Sequence, residues 1–84
     1  MMILKNKIFT QNLIRLRGKS ELSQYELVEK MQLLGSSMSR STYSKIELGL
    51  GNIKVSDLVA LKEIYGVDYD DFFKDVDVSE KKDY

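Results

Sequence analysis

Four polar side chains near the middle of this 84-residue chain have types and spacing that suit binding to an anionic or hydrogen-bonding partner. If residues 40–48 form a helix, a rotation of about 100° per residue places Arg40, Ser41, Ser44 and Lys45 within one sector of about 140°. Arginine and lysine donate hydrogen bonds to phosphate oxygens or base edges, and small serine hydroxyls let a helix lie deep in a DNA groove. The same pattern also fits an amphipathic helix whose polar face meets only water.

The other face of this segment is mainly apolar. Thr42, Tyr43 and Ile46 fall opposite the basic residues on the helical wheel. A helix with one apolar face packs that face on its neighbours. The sequence therefore predicts that the rest of the chain covers this face and holds the segment in place.

The positioning elements are predicted to be helices. Apolar residues recur at spacings of three and four, and the chain contains no proline. Ser23 and Glu26 fit a capping box, which places the start of a helix at Gln24 with Leu27, Met31 and Leu34 directed inward. This indicates an all-α fold with five helices, over about 7–19, 24–34, 40–48, 55–65 and 69–74.

The net charge of zero hides two ends of opposite charge. Residues 1–54 contain nine basic and four acidic side chains, a net of +5, whereas residues 55–84 contain four and nine, a net of −5. This asymmetry fits an anion-binding face on the basic end. A surface kept soluble by charges of both signs is the alternative.

Composition disfavours most enzyme chemistry. The chain has no cysteine and no histidine, and it shows no pairing of a nucleophile with a base, so we expect no enzyme activity, no metal and no cofactor. Its apolar stretches are far shorter than the roughly 20 residues of a membrane span, and the start lacks the apolar region of a signal peptide. We therefore expect a cytoplasmic protein with no membrane association.

Two groups near the C-terminal end have alternative interpretations. The carboxylates are interpreted as capping and solubilising groups rather than a cation site, because they lack the spacing of a calcium loop. They are Asp68, Asp70, Asp71, Asp75 and Asp77. The aromatic side chains over residues 65–73 are interpreted as core, with contact to a dimer partner as the alternative.

The order and wording of five segments resemble the Cro/repressor-type helix-turn-helix family, also called the XRE family. Each segment is weak evidence alone, and together they form a specific pattern with compatible spacing. The segments are FTQNLIRLR at 9–17, LSQYEL at 22–27, SRSTYSKIELG at 39–49, LVAL at 58–61 and VDYDDFF at 67–73.

The resemblance implies a compact five-helix bundle of the lambda-repressor-like type, with a helix-turn-helix DNA-binding domain over residues 1–75 and a polar tail over 76–84. It implies a sequence-specific transcriptional regulator, a repressor of phage or mobile-element type, that binds double-stranded DNA at a pseudo-palindromic operator as a homodimer. The third helix, about 40–48, is expected in the major groove.

The resemblance also implies roles for individual residues. Those expected to read bases are Arg40, Ser41, Ser44 and Lys45. Those expected to contact the DNA backbone are Gln24, Ser39 and Asn52. Arg17 and Glu47 match a family pair that forms an internal ion pair.

Two features depart from the family pattern. The chain between Met31 and Arg40 is several residues longer, which leaves the angle of the third helix open. Leu48 and Leu50 stand where many relatives have basic or polar groups, and we interpret them as packing residues, with a partner surface as the alternative. Such a surface would fit a second function, that of a protein-interaction module such as an antitoxin or the regulatory partner of another polypeptide.

Overall fold

A computed structural model of the protein describes residues 2–3 and 6–76, and for residues 2–3 it describes the backbone alone. The described residues form four α-helices, one 3-10 helix and two very short strands. In chain order these are β1 (Met2–Ile3), α1 (Lys7–Ser20), α2 (Gln24–Leu33), α3 (Arg40–Glu47), β2 (Ile53–Lys54), α4 (Val55–Tyr65) and the 3-10 helix Tyr69–Asp71. The all-α prediction is confirmed.

The core lies between the four helices and draws on each of them. Leu13 of α1, Leu27 and Met31 of α2, Tyr43 of α3 and Leu61 of α4 are completely buried. These positions follow the helical spacing in the sequence, so every helix turns one apolar side toward a common centre. Leu34 is an exception to the prediction, because this residue caps α2 and is 51% exposed.

The predicted fifth helix is wrong in extent: it is a single 3-10 turn, Tyr69–Asp71. The side chain of Asn12 donates to the carbonyls of Phe72 and Lys74, at 3.0 and 2.9 Å, and Arg15 donates to the carbonyl of Asp71 at 2.9 Å. These carbonyls accept hydrogen bonds from side chains of α1 instead of from backbone amides of a longer helix. The segment is held on α1, and Phe72 is completely buried.

The two short strands pair antiparallel, with Met2 opposite Lys54 and Ile3 opposite Ile53. Strands of two residues give no detectable alternation in the sequence, so the helical pattern did not reveal them. Their effect is local: the pairing attaches the start of the chain to the segment just before α4, where Ile53 is buried.

The longer connection between α2 and α3 is an ordered turn. Met38 inserts into the core, and Gln32 donates its side-chain amide to the Met38 carbonyl at 2.8 Å. The Ser36 hydroxyl donates to Asp57 of α4 at 2.8 Å and accepts from the Met38 amide at 3.0 Å. One apolar anchor and three hydrogen bonds therefore fix the start of α3 relative to α2 and α4.

The predicted polar tail over 76–84 lies almost entirely outside the described residues, which end at Val76. Asp77 of the acidic group lies outside them as well. The division of the chain into 1–75 and 76–84 stays a prediction.

Candidate nucleic-acid interface

The outward face of α3 carries the predicted base-reading residues. Arg40, Ser41 and Lys45 are exposed and Ser44 is half-buried. The helix begins directly after Ser39, whose hydroxyl accepts from the amide of Thr42 at 3.2 Å. An N-cap of this kind satisfies one of the amides that the first turn leaves unpaired. Arg40 thus stands at the very start of a capped helix, with its side chain in solvent.

The inward face of α3 fixes which side the helix presents. Tyr43 and Ile46 are buried in the core, and Glu47 is buried at the end of the helix. A rotation of α3 about its axis would expose these side chains and bury the basic ones. The core therefore keeps Arg40 and Lys45 on the outside.

Glu47 is the centre of a hydrogen-bonded group that joins α1, α2 and α3. Arg17 donates from Nε to Glu47 Oε2 at 2.7 Å and from Nη2 to Oε1 at 3.0 Å. Gln24 donates from Nε2 to the same Oε1 at 3.0 Å. A third donor of Arg17, Nη1, reaches the carbonyl of Leu22 at 3.0 Å. One carboxylate thus ties the end of α3 to both neighbouring helices.

The environment of Glu47 keeps its carboxylate ionised. Burial acts to raise the pKa of Glu47. The hydrogen bonds and charge of Arg17, the nearby Tyr43 hydroxyl and the hydrogen bond from Gln24 together outweigh burial and lower the pKa. Since a charged carboxylate only accepts hydrogen bonds, Gln24 must turn its amide nitrogen, not its oxygen, toward Glu47. The second N–H of that nitrogen remains to donate elsewhere.

Gln24 is the first residue of α2 and is half-buried. The helix start is set by the predicted capping box: the Ser23 hydroxyl accepts from the Glu26 amide at 3.0 Å, and the Glu26 carboxylate accepts from the Ser23 amide at 2.9 Å. The hydrogen bond from Ser23 lowers the pKa of Glu26. Gln24 is therefore held both by the capped helix and by Glu47.

Two tyrosine hydroxyls lie buried beside this group. Neither Tyr43 Oη nor Tyr65 Oη has a hydrogen-bond partner among the described residues. Burial raises the pKa of Tyr65 to about 12 and raises that of Tyr43 further. Both phenols stay neutral at physiological pH, so among the described residues of this group the negative charge is that of Glu47.

A polar recess beside the start of α3 brings together two of the predicted backbone-contacting residues. Ser39 and Asn52 line it together with Thr42, Lys54, the acidic Asp57, Ser37 and Met38. The Ser39 hydroxyl also donates to the Thr42 hydroxyl at 2.9 Å. Gln24 is not among the residues that line the recess. Sequence reasoning did not single out Lys54.

The interpretation of Leu48 and Leu50 as packing residues is wrong. Leu48 caps the end of α3 and is 69% exposed, and Leu50 in the following loop is 68% exposed. Gly49 between them has a φ of 78°, a left-handed conformation that ends the helix and turns the chain outward. The side chain that packs into the core near the end of α3 is that of Ile46.

The fold and the exposed face of α3 define a helix-turn-helix protein, in which α2 and α3 are the paired helices. A family model described as helix-turn-helix matches residues 13–72, most of the chain. The chain belongs to this family, the XRE-type helix-turn-helix proteins, and is a DNA-binding transcription regulator. A search of the curated proteins found no significant match, and neither did a search of the solved structures.

The family is one of regulatory DNA-binding domains and not an enzyme family. Within residues 6–76, no group of three or more acidic side chains is placed to hold a metal ion. None of the described helices is both long and apolar enough to span a bilayer.

Proposed function

We propose that the protein is a repressor of phage or mobile-element type that binds a pseudo-palindromic operator as a homodimer, with α3 in the major groove. The observation that carries this proposal is the division of α3 into two faces. Its exposed side offers Arg40, Ser41 and Lys45, and its buried side is locked by Tyr43 and Glu47. Repression and the homodimer follow the Cro/repressor-type resemblance.

Arg40 and Gln24 have different roles in this proposal. The Arg40 guanidinium can donate to both O6 and N7 of one guanine, which discriminates against other bases by about 1–3 kcal/mol. Gln24 can use its remaining N–H on a phosphate oxygen near the start of α2, where the helix dipole also favours negative charge. Phosphate oxygens carry no sequence information, so Gln24 would contribute equally on every sequence.

Selection from random-sequence double-stranded DNA tests the proposal. We expect enrichment of an inverted repeat whose half-sites lie about 34 Å apart, one turn of DNA. Fusion of the enriched sequence to a promoter and reporter then separates repression from activation. A selection that enriches no sequence would contradict the proposal.

Substitution of Arg40 and Gln24 by alanine tests their roles on the enriched sequence. We expect Arg40→Ala to relax base preference at one position of each half-site, and Gln24→Ala to weaken all sequences by a similar factor. Binding to a panel of single-base operator variants measures both effects. Lys74→Ala is the matched control, because Lys74 is an exposed basic residue on the C-terminal segment, outside the proposed interface. Equal losses on every sequence for both variants would contradict the assigned roles.

A protein-interaction module, such as an antitoxin or regulatory partner, is the second candidate. The exposure of Leu48 and Leu50 favours it, since apolar side chains in solvent are typical of contact surfaces. It predicts a stable complex with a second polypeptide in the absence of DNA and no sequence enriched by selection. Enrichment of an inverted repeat would exclude it as the main function.

A further inference from the structure

A second apolar surface lies at the C-terminal ends of α2 and α4. Leu33 is 83% exposed and Leu34 is 51% exposed, and both line a shallow groove with the half-buried Ile64. Lys30 and Glu63 complete the lining. We call this surface, formed by these five residues, the α2–α4 groove. None of the predicted DNA-contacting residues belongs to it.

The two sides of the groove carry opposite charges. Lys30 comes from α2 and Glu63 from α4, and both are exposed. Within the described part of the chain these two side chains do not form an ion pair with each other. Lys30 also interacts electrostatically with Glu26, one turn earlier on the same helix. Each side of the groove thus presents one exposed charge next to apolar area.

We propose that the α2–α4 groove is the contact between two copies of this chain, related by a two-fold axis that runs along the groove. A two-fold axis in this direction places each side of one groove against the opposite side of the other. Lys30 of each copy then meets Glu63 of the second copy, and Leu33 and Leu34 of each copy pack against Ile64 of the second copy. The inference names the contact surface of the proposed homodimer and rests on that proposal.

A second copy fits this groove better than a partner of one charge. An acidic partner would be attracted by Lys30 and repelled by Glu63, and a basic partner would meet the reverse. In a dimer of this chain, Lys30 of each copy pairs with Glu63 of the second copy, so the attractive pair forms twice. The apolar side chains between the charges supply area that is costly to leave in water.

The position of the groove leaves the candidate DNA interface free. Gln24 begins α2 and Leu33 ends it, so the two are about 14 Å apart along the helix axis. Three aliphatic side chains per copy provide less than the roughly 800 Å² per partner of a stable interface. The contact is thus weak between free copies and is strengthened when DNA holds two copies side by side.

Charge exchange between two variants tests the contact. In sedimentation equilibrium up to about 1 mM protein, where a weak contact is populated, we expect wild type to dimerise. Lys30→Glu alone and Glu63→Lys alone should each weaken the dimer by roughly tenfold or more, because each places like charges together twice. An equimolar mixture of the two variants should recover dimerisation to within about threefold of wild type. Interactions within one chain cannot be restored by mixing, so recovery requires contact between copies.

Wild type that stays monomeric at about 1 mM, or a mixture in which dimerisation does not recover, would overturn the inference. Leu33→Ser should also weaken the dimer by roughly tenfold or more, and Leu50→Ser, at an exposed leucine outside the groove, should not.

Binding to DNA that carries one half-site of the enriched sequence separates the inference from the proposed function. Unchanged half-site binding by Lys30→Glu is expected, because one copy occupies one half-site, and a loss would overturn the inference by placing Lys30 at the DNA. Failure of wild type to bind a half-site would overturn the proposed function, whereas the mixing experiment, which contains no DNA, decides the groove.

Discussion

At the scale of single residues, Glu47 has the largest structural role that the contacts reveal. It accepts from Arg17 twice and from Gln24 once, and it is buried at the end of α3. A buried carboxylate costs free energy unless its partners replace water. Here the partners come from two other helices, so the ion pair also sets the position of α3.

Loss of the Glu47 charge should destabilise the protein. Glu47→Gln keeps the shape of the side chain but leaves the guanidinium of Arg17, only 22% exposed, without its carboxylate. We expect the free energy of unfolding to fall by about 3 kcal/mol, the lower end for a broken buried pair because Arg17 keeps some water. Urea denaturation measures it. Glu29→Gln, at an exposed glutamate of α2, is the control and should change stability by less than about 0.5 kcal/mol.

The same ion pair should give the protein an acid-sensitive part of its stability. The folded-state pKa of Glu47 lies below its ordinary value of 4.5, so the folded chain holds this proton less tightly than the unfolded chain. The stabilisation is therefore complete above about pH 4.5 and is lost as the pH falls through the folded-state pKa. The difference in unfolding free energy between wild type and Glu47→Gln should shrink over that range. A difference that stays constant down to acid unfolding would contradict this.

Sequence reasoning reached some of these residues and could not reach others. Arg17 and Glu47 were named as a pair through the family resemblance, and the structure contains the pair. The hydrogen bond from Gln24 to Glu47 joins residues 23 apart in the chain. It depends on how α2 crosses the end of α3, and no local pattern encodes that. The buried hydroxyls of Tyr43 and Tyr65 are likewise a consequence of packing.

At the scale of elements, local signals determined most helix boundaries. α4 spans Val55–Tyr65 as predicted, and the capping box at Ser23 starts α2 at Gln24. Local signals could not predict the short C-terminal turn, because its backbone carbonyls accept hydrogen bonds from Asn12 and Arg15, about 60 residues away. Apolar spacing predicts which face of a helix is buried, but it does not tell whether a distant side chain ends that helix early.

The turn between α2 and α3 should depend on Met38. Its side chain is buried, and its backbone accepts from Gln32 and donates to Ser36. Met38→Ala leaves a cavity in the core, and we expect a loss of about 2–4 kcal/mol in unfolding free energy. For a domain of this size, each 1 kcal/mol lowers the melting temperature by about 4–8 °C.

Thermal unfolding followed by circular dichroism measures the effect of Met38→Ala. Leu50→Ala is the matched control, because it truncates an exposed apolar residue in the other loop that flanks α3. A shift no larger than that of Leu50→Ala would show that the longer turn is held by its hydrogen bonds and not by its apolar anchor.

At the scale of the whole molecule, the charge asymmetry and the positions of the elements agree. The basic part of the sequence, residues 1–54, contains α1, α2 and α3, and the acidic part contains α4 and the C-terminal turn. Placing the start of α2 and the outer face of α3 on DNA brings the positive part to the phosphates. Asp57 of α4 is an exception in the acidic part, because it lines the recess beside the start of α3 and accepts a hydrogen bond from Ser36.

The number of basic residues near the proposed interface sets the salt dependence of DNA binding. Arg40, Lys45 and Lys54 are exposed around α3, which gives about six cations in a dimer. Release of the counterions that they replace predicts a slope of about −5 in a plot of log affinity against log salt concentration. Binding of the enriched sequence should weaken roughly 10³-fold between 50 and 200 mM salt.

Lys54 provides the sharpest test of this salt dependence, because it was found from the recess that it lines with Ser39 and Asn52 and not from the family pattern. If each Lys54 of a dimer replaces one counterion, Lys54→Ala should reduce the slope by about two. Lys74→Ala, which removes an equal charge from the C-terminal segment, should leave the slope unchanged. Equal slopes for the two variants would mean that Lys54 does not meet a phosphate, and DNA would then contact the start of α3 without the recess beside it.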